Sequence, residues 1–300
     1  MVESGKITPQ QAQLASKVPM ADDITVEADS GGHTDNRPLV GLLPSILALR
    51  NEIQVKNKYL VPVLIGAGGG IGTPASVLGA FSMGAAYVVT GSVNQACLEA
   101  STSPQVKTAL AQAAAPDVMM APSADMFEMG VKVQVLKRGT MFPMRSQKLY
   151  DTYLKYDGID QIDPGERKEL EDKTFQNDLD SIWNECVKFF TERDPGQLEK
   201  AQNNPKRKMA LIFRWYLGLA THWGIQGIPE RKLDYQIWCG PSMGAFNDWV
   251  RGTTLEAAED RKVVDVADQL LIGAAYQYRL NQLMLQGLST PTSWNRYLGS

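Results

Sequence analysis

The stretch from Val61 to Gln95 constrains the fold more than any other. It reads Val-Pro-Val-Leu-Ile-Gly-Ala-Gly-Gly-Gly-Ile-Gly-Thr-Pro, then a helical interval, then Ala-Ala-Tyr-Val-Val-Thr-Gly-Ser-Val-Asn-Gln. The apolar run Val61, Val63, Leu64 and Ile65 predicts a strand buried on both faces that ends in glycines, after which Thr73-Pro74 caps and opens a helix. A second strand, Tyr87-Val88-Val89-Thr90, ends in Gly91-Ser92. Two consecutive strands that finish in glycine turns set backbone N–H groups side by side at one end of a parallel sheet, where a helix start adds positive potential. Such a corner suits a phosphate. In (β/α)8 barrels the phosphate often sits at the loops after strands 7 and 8, so the last two strands of such a barrel are the first choice.

A further unit precedes these two. Ile24 and Val26 mark a short strand that runs into Glu27-Ala-Asp-Ser-Gly-Gly-His33, and a helix from about Leu43 to Lys56 follows with Ile46, Leu49 and Ile53 on one face. Strands near 24–28, 61–66 and 87–91, separated by helices, form a βαβαβ run with a parallel sheet. A closed barrel needs eight such units. The fold class expected is therefore α/β: the C-terminal part of a (β/α)8 TIM barrel, strands 6–8 within residues 1–115, followed by a mainly helical region over residues 116–300. An apolar sheet with an unpaired edge is costly, which predicts a longer enzyme or a split one whose N-terminal half or partner chain completes the barrel.

Elsewhere the chain reads mostly as helix. Thr8 caps a helix to Ser16, with Pro9 first and Gln11 three residues on from the cap. Thr102-Ser-Pro opens a helix to about Ala114, and the alternation of Val131, Val133 and Val135 reads as a short strand or an extended cover. Asp163-Pro164 with Glu166 starts another helix, while Leu179, Ile182, Cys186 and Phe189 space out one apolar face. Met209 to Trp223 is an aromatic-rich helix, Pro241 begins one more, and Asp260 to Leu285 is a long terminal helix.

Composition narrows the class of protein. With 300 residues, 44% hydrophobic and 21% charged, the chain is that of a globular protein with a sizeable core, and its net charge of −3 gives no global reason to expect nucleic acid as a partner. Cys97, Cys186 and Cys239 are odd in number and widely spaced, which excludes a disulfide framework and a zinc pattern and fits a reducing cytoplasm. Neither a signal peptide nor a membrane-spanning run is expected, and no metal site.

Among candidate residues, His33 stands out at the C-terminal end of a strand, where barrel enzymes keep their catalysis and where an imidazole can orient a ligand or move a proton. His222, on an apolar helix, reads as packing. Gly68 to Gly72 comes near the dinucleotide pattern G-x-G-x-x-G, but no acidic residue ends a strand about 20 residues on. Cys97 reads as a buried small side chain, and Cys239, in Trp-Cys-Gly-Pro, as packing, with a place near a ligand as the alternative. Lys206-Arg207-Lys208 reads as a solvated basic helix start over an aromatic core, with docking of an acidic carrier protein as the functional alternative.

From Ala21-Asp-Asp-Ile-Thr-Val-Glu-Ala-Asp-Ser-Gly-Gly-His-Thr-Asp-Asn-Arg-Pro-Leu to about Ala274 the sequence resembles a known family. Matching stretches include Gly66-Ala-Gly-Gly-Gly-Ile-Gly-Thr-Pro, Thr90-Gly-Ser-Val-Asn-Gln, Asp125-Met-Phe-Glu-Met-Gly-Val-Lys-Val-Gln-Val-Leu-Lys, Lys208-Met-Ala-Leu-Ile-Phe-Arg-Trp-Tyr and Asp234-Tyr-Gln-Ile-Trp-Cys-Gly-Pro. The family is that of the trans-acting, flavin-dependent enoyl reductases of polyketide and polyunsaturated fatty acid synthases, relatives of nitronate monooxygenase. The resemblance implies an FMN-binding barrel followed by a helical substrate-side cap over residues 116–300; in the barrel, Gly69, Gly70, Gly91 and Ser92 hold the FMN phosphate and Gly31, Gly32 and the catalytic His33 lie beside the flavin ring and substrate. It further implies NADPH as reductant and an enoyl thioester on an acyl carrier protein as substrate. A nitronate monooxygenase shares the same cradle and histidine, and a non-catalytic docking piece is the alternative outside enzymes.

Overall fold

In the computed structural model, which describes residues 1–297, the capping box of Thr8 and Gln11 starts α1 (Pro9–Ala15) as the sequence predicts. The chain then enters β1 (Asp23–Glu27) and, after a tight loop, the two-residue strand β2 (Gly32–His33). Helix α2 (Leu39–Asn57) begins earlier than the apolar spacing indicates, carries Pro44 inside it, and leads to β3 (Leu64–Gly68). Thr73 caps α3 (Pro74–Ser82), whose first residue is a proline with its φ already set for a helix. Then come β4 (Val88–Val89), the short α4 (Ser92–Gln95) and α5 (Pro104–Ala111).

β1, β3 and β4 form a parallel sheet in the order β1-β3-β4, with Asp23 opposite Leu64, Glu27 opposite Gly68 and Gly68 opposite Val89. This register sorts the side chains. Val26, Ile65 and Ala67 go to the face that joins Leu43, Val77 and Ala80 in one core. Thr25, Leu64 and Gly66 go to the other, where the Tyr87 ring lies over Gly66 and its hydroxyl meets Thr25 Oγ1 at 2.9 Å. The expected strand over 61–66, buried on both faces, is corrected on two counts. It starts at Leu64, leaving Val61 exposed, and burial on both faces holds from Ile65 to Gly68 but not at Leu64, which is 46% exposed. The alternation of a strand sends Leu64 to the face opposite Ile65, at the end of the strand and away from the Tyr87 ring that covers Gly66.

A second, antiparallel sheet carries the order β2-β6-β5. Its hairpin is β5 (Val118–Pro122) and β6 (Lys132–Leu136), and the alternating valines do form the second of these strands. Gly32 and His33 pair with Gln134 and Val133 of β6, so the Gly-Gly-His segment read as loop is in fact an edge strand of this sheet. Helices α6 (Phe142–Lys155), α7 (Pro164–Glu169), α8 (Leu179–Arg193), α9 (Pro195–Gln202) and α10 (Pro205–Gln226) follow. They close a second core around Phe127, Phe142, Phe175, Phe213 and Tyr216, where each fully buried aromatic contributes about 1.5–3 kcal/mol. The last helices, α11 (Ser242–Val250) and α12 (Val263–Leu285), return to the first core through Phe246, Val266 and Leu270. Trp223 packs against both cores.

A buried charge network ties the helical part to the segment that returns. Asp234 is fully buried, paired with Arg145 and with Arg231 at 3.3 Å, and accepts the Tyr216 hydroxyl at 2.7 Å. The basic start of α10, expected to be solvated, is likewise engaged. Lys206 Nζ donates to the Tyr153 and Tyr156 carbonyls, Arg207 pairs with Glu128, and Lys208 Nζ lies 5.3 Å from the centroid of the Trp183 ring. Among the described residues no helix is long and apolar enough to cross a membrane, and no cluster of metal-ligating side chains occurs.

Candidate active site

Because β3 and β4 are parallel neighbours, their glycine-bearing tips lie side by side at one end of the sheet. A cavity of about 410 Å³ opens there, within the range of small-molecule sites. Its walls include Glu27 and Thr25 from β1, Gly68 and Gly69 after β3, Gly91, Ser92 and Gln95 around α4, and Gly31 and Trp238 from across the gap. Gly69 turns the chain with φ +78°, and a Cβ there would stand 2.6 Å from the Ala28 backbone, so only glycine lets these two strand tips approach this closely. No side chain caps the start of α4 at Gly91. No lysine or arginine lines the cavity, so an anion there would be met by peptide N–H groups and not by a side-chain cation.

The loop between β1 and β2 is pinned by a buried amide. Gln134 of β6 donates through Nε2 to Asp29 Oδ1 and to the Ser30 carbonyl, both at 2.7 Å, and Asn36 Nδ2 donates to Asp29 at 2.9 Å and to Gln134 Oε1 at 3.1 Å. Ser30 Oγ donates to Glu27 at 2.7 Å. These bonds set Gly31 against the backbone of Cys239, which a Cβ on Gly31 would meet at 2.7 Å.

Of the sequence-predicted residues, the structure brings Gly31, Gly69, Gly91 and Ser92 to one cavity. Ser92 Oγ accepts the Gly240 N–H at 2.9 Å, so this hydroxyl also ties the cradle to the returning chain. Gly70, with φ +73°, is exposed and lies just outside the lining. Gly32 and His33 are separated from the cavity by Trp238, whose ring packs on Gly32 and meets the His33 ring edge-on at 5.8 Å between centroids. His33 Nε2 lies 3.1 Å from Asp125 Oδ1, which also accepts the Ser123 hydroxyl at 2.7 Å. Burial opposes ionisation of Asp125, but these hydrogen bonds and the nearby imidazole outweigh it and hold its carboxyl below the usual range. Cys239 is fully buried, as expected for packing, and His222 is exposed on α10.

Sequence reasoning missed Trp238 and Asp125 as site residues. Both lie in stretches quoted above, yet no local spacing ties either to a histidine 92 or 205 residues away. Trp238 is held by Gln95 Nε2, which donates to its carbonyl at 2.8 Å, and by a bridge to Val135.

Comparison with known proteins places this geometry. The chain is 41% identical to the enoyl reductase domain of MlnA from the macrolactin biosynthesis cluster of Bacillus amyloliquefaciens, superposing with a TM-score of 0.87 over 96% of this chain and 63% of that one. In sequence and in structure, the chain matches the enoyl reductase domain of polyketide and polyunsaturated fatty acid synthases. A polyunsaturated fatty acid synthase polypeptide of Thraustochytrium sp. is 50% identical over 290 residues, covering 94% of this chain and 19% of that protein. Polyketide biosynthesis protein PksE of Bacillus subtilis is 44% identical over 275 residues, 92% of this chain and 36% of the relative. The chain thus spans about a fifth to a third of these curated relatives. Residues 156–235 also match the family described as [acyl-carrier-protein] S-malonyltransferase, inserted helical domain, which covers most of the helical part from α7 through α10.

Proposed function

We propose that this chain is part of a flavin-dependent enoyl reductase that reduces carrier-bound enoyl thioesters in polyketide or polyunsaturated fatty acid synthesis, with NADPH as reductant. The observation that carries the reading is the meeting of two adjacent glycine-bearing strand tips around one cavity, with His33 just beyond its Trp238 wall. In this reading Gly69, Gly91 and Ser92 hold the FMN phosphate, Gly70 completes the turn, and Gly31 and Trp238 border the ring. Bound there, FMN would supply the hydride for the β-carbon of the enoyl thioester.

The chain's own residues then have defined tasks. The Asp125 carboxylate keeps a proton on His33 Nε2 and fixes the ring plane. His33 in turn orients the thioester through Nδ1, and a ring carrying protons on both nitrogens would give the Nδ1 proton to the α-carbon and be left as neutral imidazole with its Nε2–H still on Asp125. Trp238 and the Gln134 network set the spacing between imidazole and cradle. The helical part acts as the cap on the substrate side and is the place for an acyl carrier protein to deliver its cargo.

The exposed parallel sheet supports completion to a (β/α)8 barrel. Ile24, Leu64 and Val89 are 41–46% exposed on a sheet whose β1 and β4 have no outer neighbour among the described residues, an arrangement that parallel sheets avoid. Further strands, in the same polypeptide or a partner chain, would cover them. The test is NADPH oxidation dependent on crotonyl thioester in protein co-expressed with such a segment. Oxygen uptake with a nitronate and no crotonyl turnover would favour the nitronate monooxygenase reading, and a His33→Ala variant with intact turnover would remove His33 from the mechanism.

A further inference from the structure

The enoyl reductase reading leaves the far side of His33 unassigned. There, between α8 and α10, lies a groove of about 770 Å³, larger than the cradle cavity. Phe189 and Phe190 form one wall, Leu211, Trp215 and Leu219 the other, and one end is Asp125, the residue whose carboxylate touches His33. The floor is open at Gly218, where a Cβ would meet nothing within 4 Å. Phe189 leaves 49% of its surface uncovered beside the buried Cys186 and Leu211, with Arg193 4.9 Å from its ring centroid.

Resting on that reading, we infer that this groove holds the aliphatic chain of the thioester, with the reacting end at His33 and the tail running along α8 and α10. Two of the groove's polar groups are engaged: Trp215 Nε1 donates to Glu185 within the lining at 2.9 Å, and Arg214 faces Glu128 outside it at 3.5 Å. The rim carries both signs, Glu185 and Glu192 against Lys188 and Arg214. It therefore offers an acidic protein no complementary field, whereas an uncharged hydrocarbon needs none. A site of this volume lined by aromatic and aliphatic side chains fits an acyl chain longer than the crotonyl unit.

The test is to fill the floor. Gly218→Phe places a ring in open space on a helix that loses a glycine, so the fold should hold, and a circular dichroism melt no lower than wild type checks it. The first readout needs no flavin: fluorescence titration of the 300-residue chain with dansyl-undecanoate. Saturable binding in the wild type, weakened about tenfold or more in Gly218→Phe, supports the groove. No saturable binding, or equal binding in both proteins, overturns it. In flavin-loaded protein, the ratio of kcat/KM for a hexadecenoyl over a crotonyl thioester should fall about tenfold in the variant. An equal fall for both chain lengths overturns the proposal by making the groove a protein-docking surface. If the wild type fails to turn over crotonyl thioester, the reductase reading is refuted, while selective loss of probe binding in the variant still supports an aliphatic site.

Discussion

Three glycines around the cradle separate backbone need from ligand need. Gly69 and Gly70 both have left-handed φ, +78° and +73°, so either alanine variant carries strain of about 1–2 kcal/mol. Only at position 69 does the added Cβ collide with backbone, 2.6–2.9 Å from Ala28 atoms, and backbone cannot rotate aside. Overpacking of this kind adds about 1–3 kcal/mol. Gly69→Ala should therefore cost about 2–5 kcal/mol and Gly70→Ala about 1–2 kcal/mol, a separation of several degrees at roughly 2–4 °C per kcal/mol. Gly91 is different, since its φ is −108° and its Cβ would meet no protein atom within 4 Å. Gly91→Ala should melt with the wild type. If the phosphate of FMN sits at this corner, the same variant should lose most of the thermal shift that FMN gives. The assay is differential scanning fluorimetry with and without FMN. Equal melting of Gly69→Ala and Gly70→Ala would refute the packing argument, and an undiminished FMN shift in Gly91→Ala would refute the cradle.

Asp234→Ala strands Arg145 and Arg231 in a buried setting and should cost about 3–5 kcal/mol in urea unfolding; a loss below about 1 kcal/mol would show the network to be dispensable. Burial works against the Glu166 carboxylate, but hydrogen bonds from Lys148, Lys155, Thr152 and Tyr156 prevail and hold its pKa down to about 2. A depressed carboxylate stabilises the fold fully above its unfolded value of 4.5, and that contribution drains away as pH falls toward about 2. Glu166→Gln should thus lower stability at pH 7 by about 2–3 kcal/mol and flatten the pH dependence below 4.5; parallel curves would contradict the assignment. Burial pushes the thiols of Cys186 and Cys239 up to about 12 and that of Cys97 to about 11. Ellman's reagent at pH 8 should accordingly find almost no reactive thiol until denaturant is added, and prompt reaction of any of the three would show that its shelter opens.

Local chemistry carried much of this structure in the sequence. Prolines behind Thr8, Thr73, Ser103 and Asp163 mark helix starts because a side-chain cap and a preset φ act within four residues. The two glycine turns were legible for the same reason. The limits of β3 were not, since an apolar run says nothing of which residues find a neighbouring strand, and Leu60 and Val61 find none. His33 was legible as a candidate but its setting was not. Pairing with β6 and contact with Asp125 and Trp238 depend on chain segments about 90 to 200 residues downstream.

The imidazole and the glycine tips ride on different sheets, although only a short loop joins β1 to β2. The reach between them is consequently an assembly dimension, adjustable through Gln134 or Gln95, neither of which is among the residues proposed to grip the phosphate. Under the proposed function, evolution or an engineer could retune where along a bound molecule the proton arrives by altering these spacers, leaving the proposed phosphate grip and the histidine itself untouched.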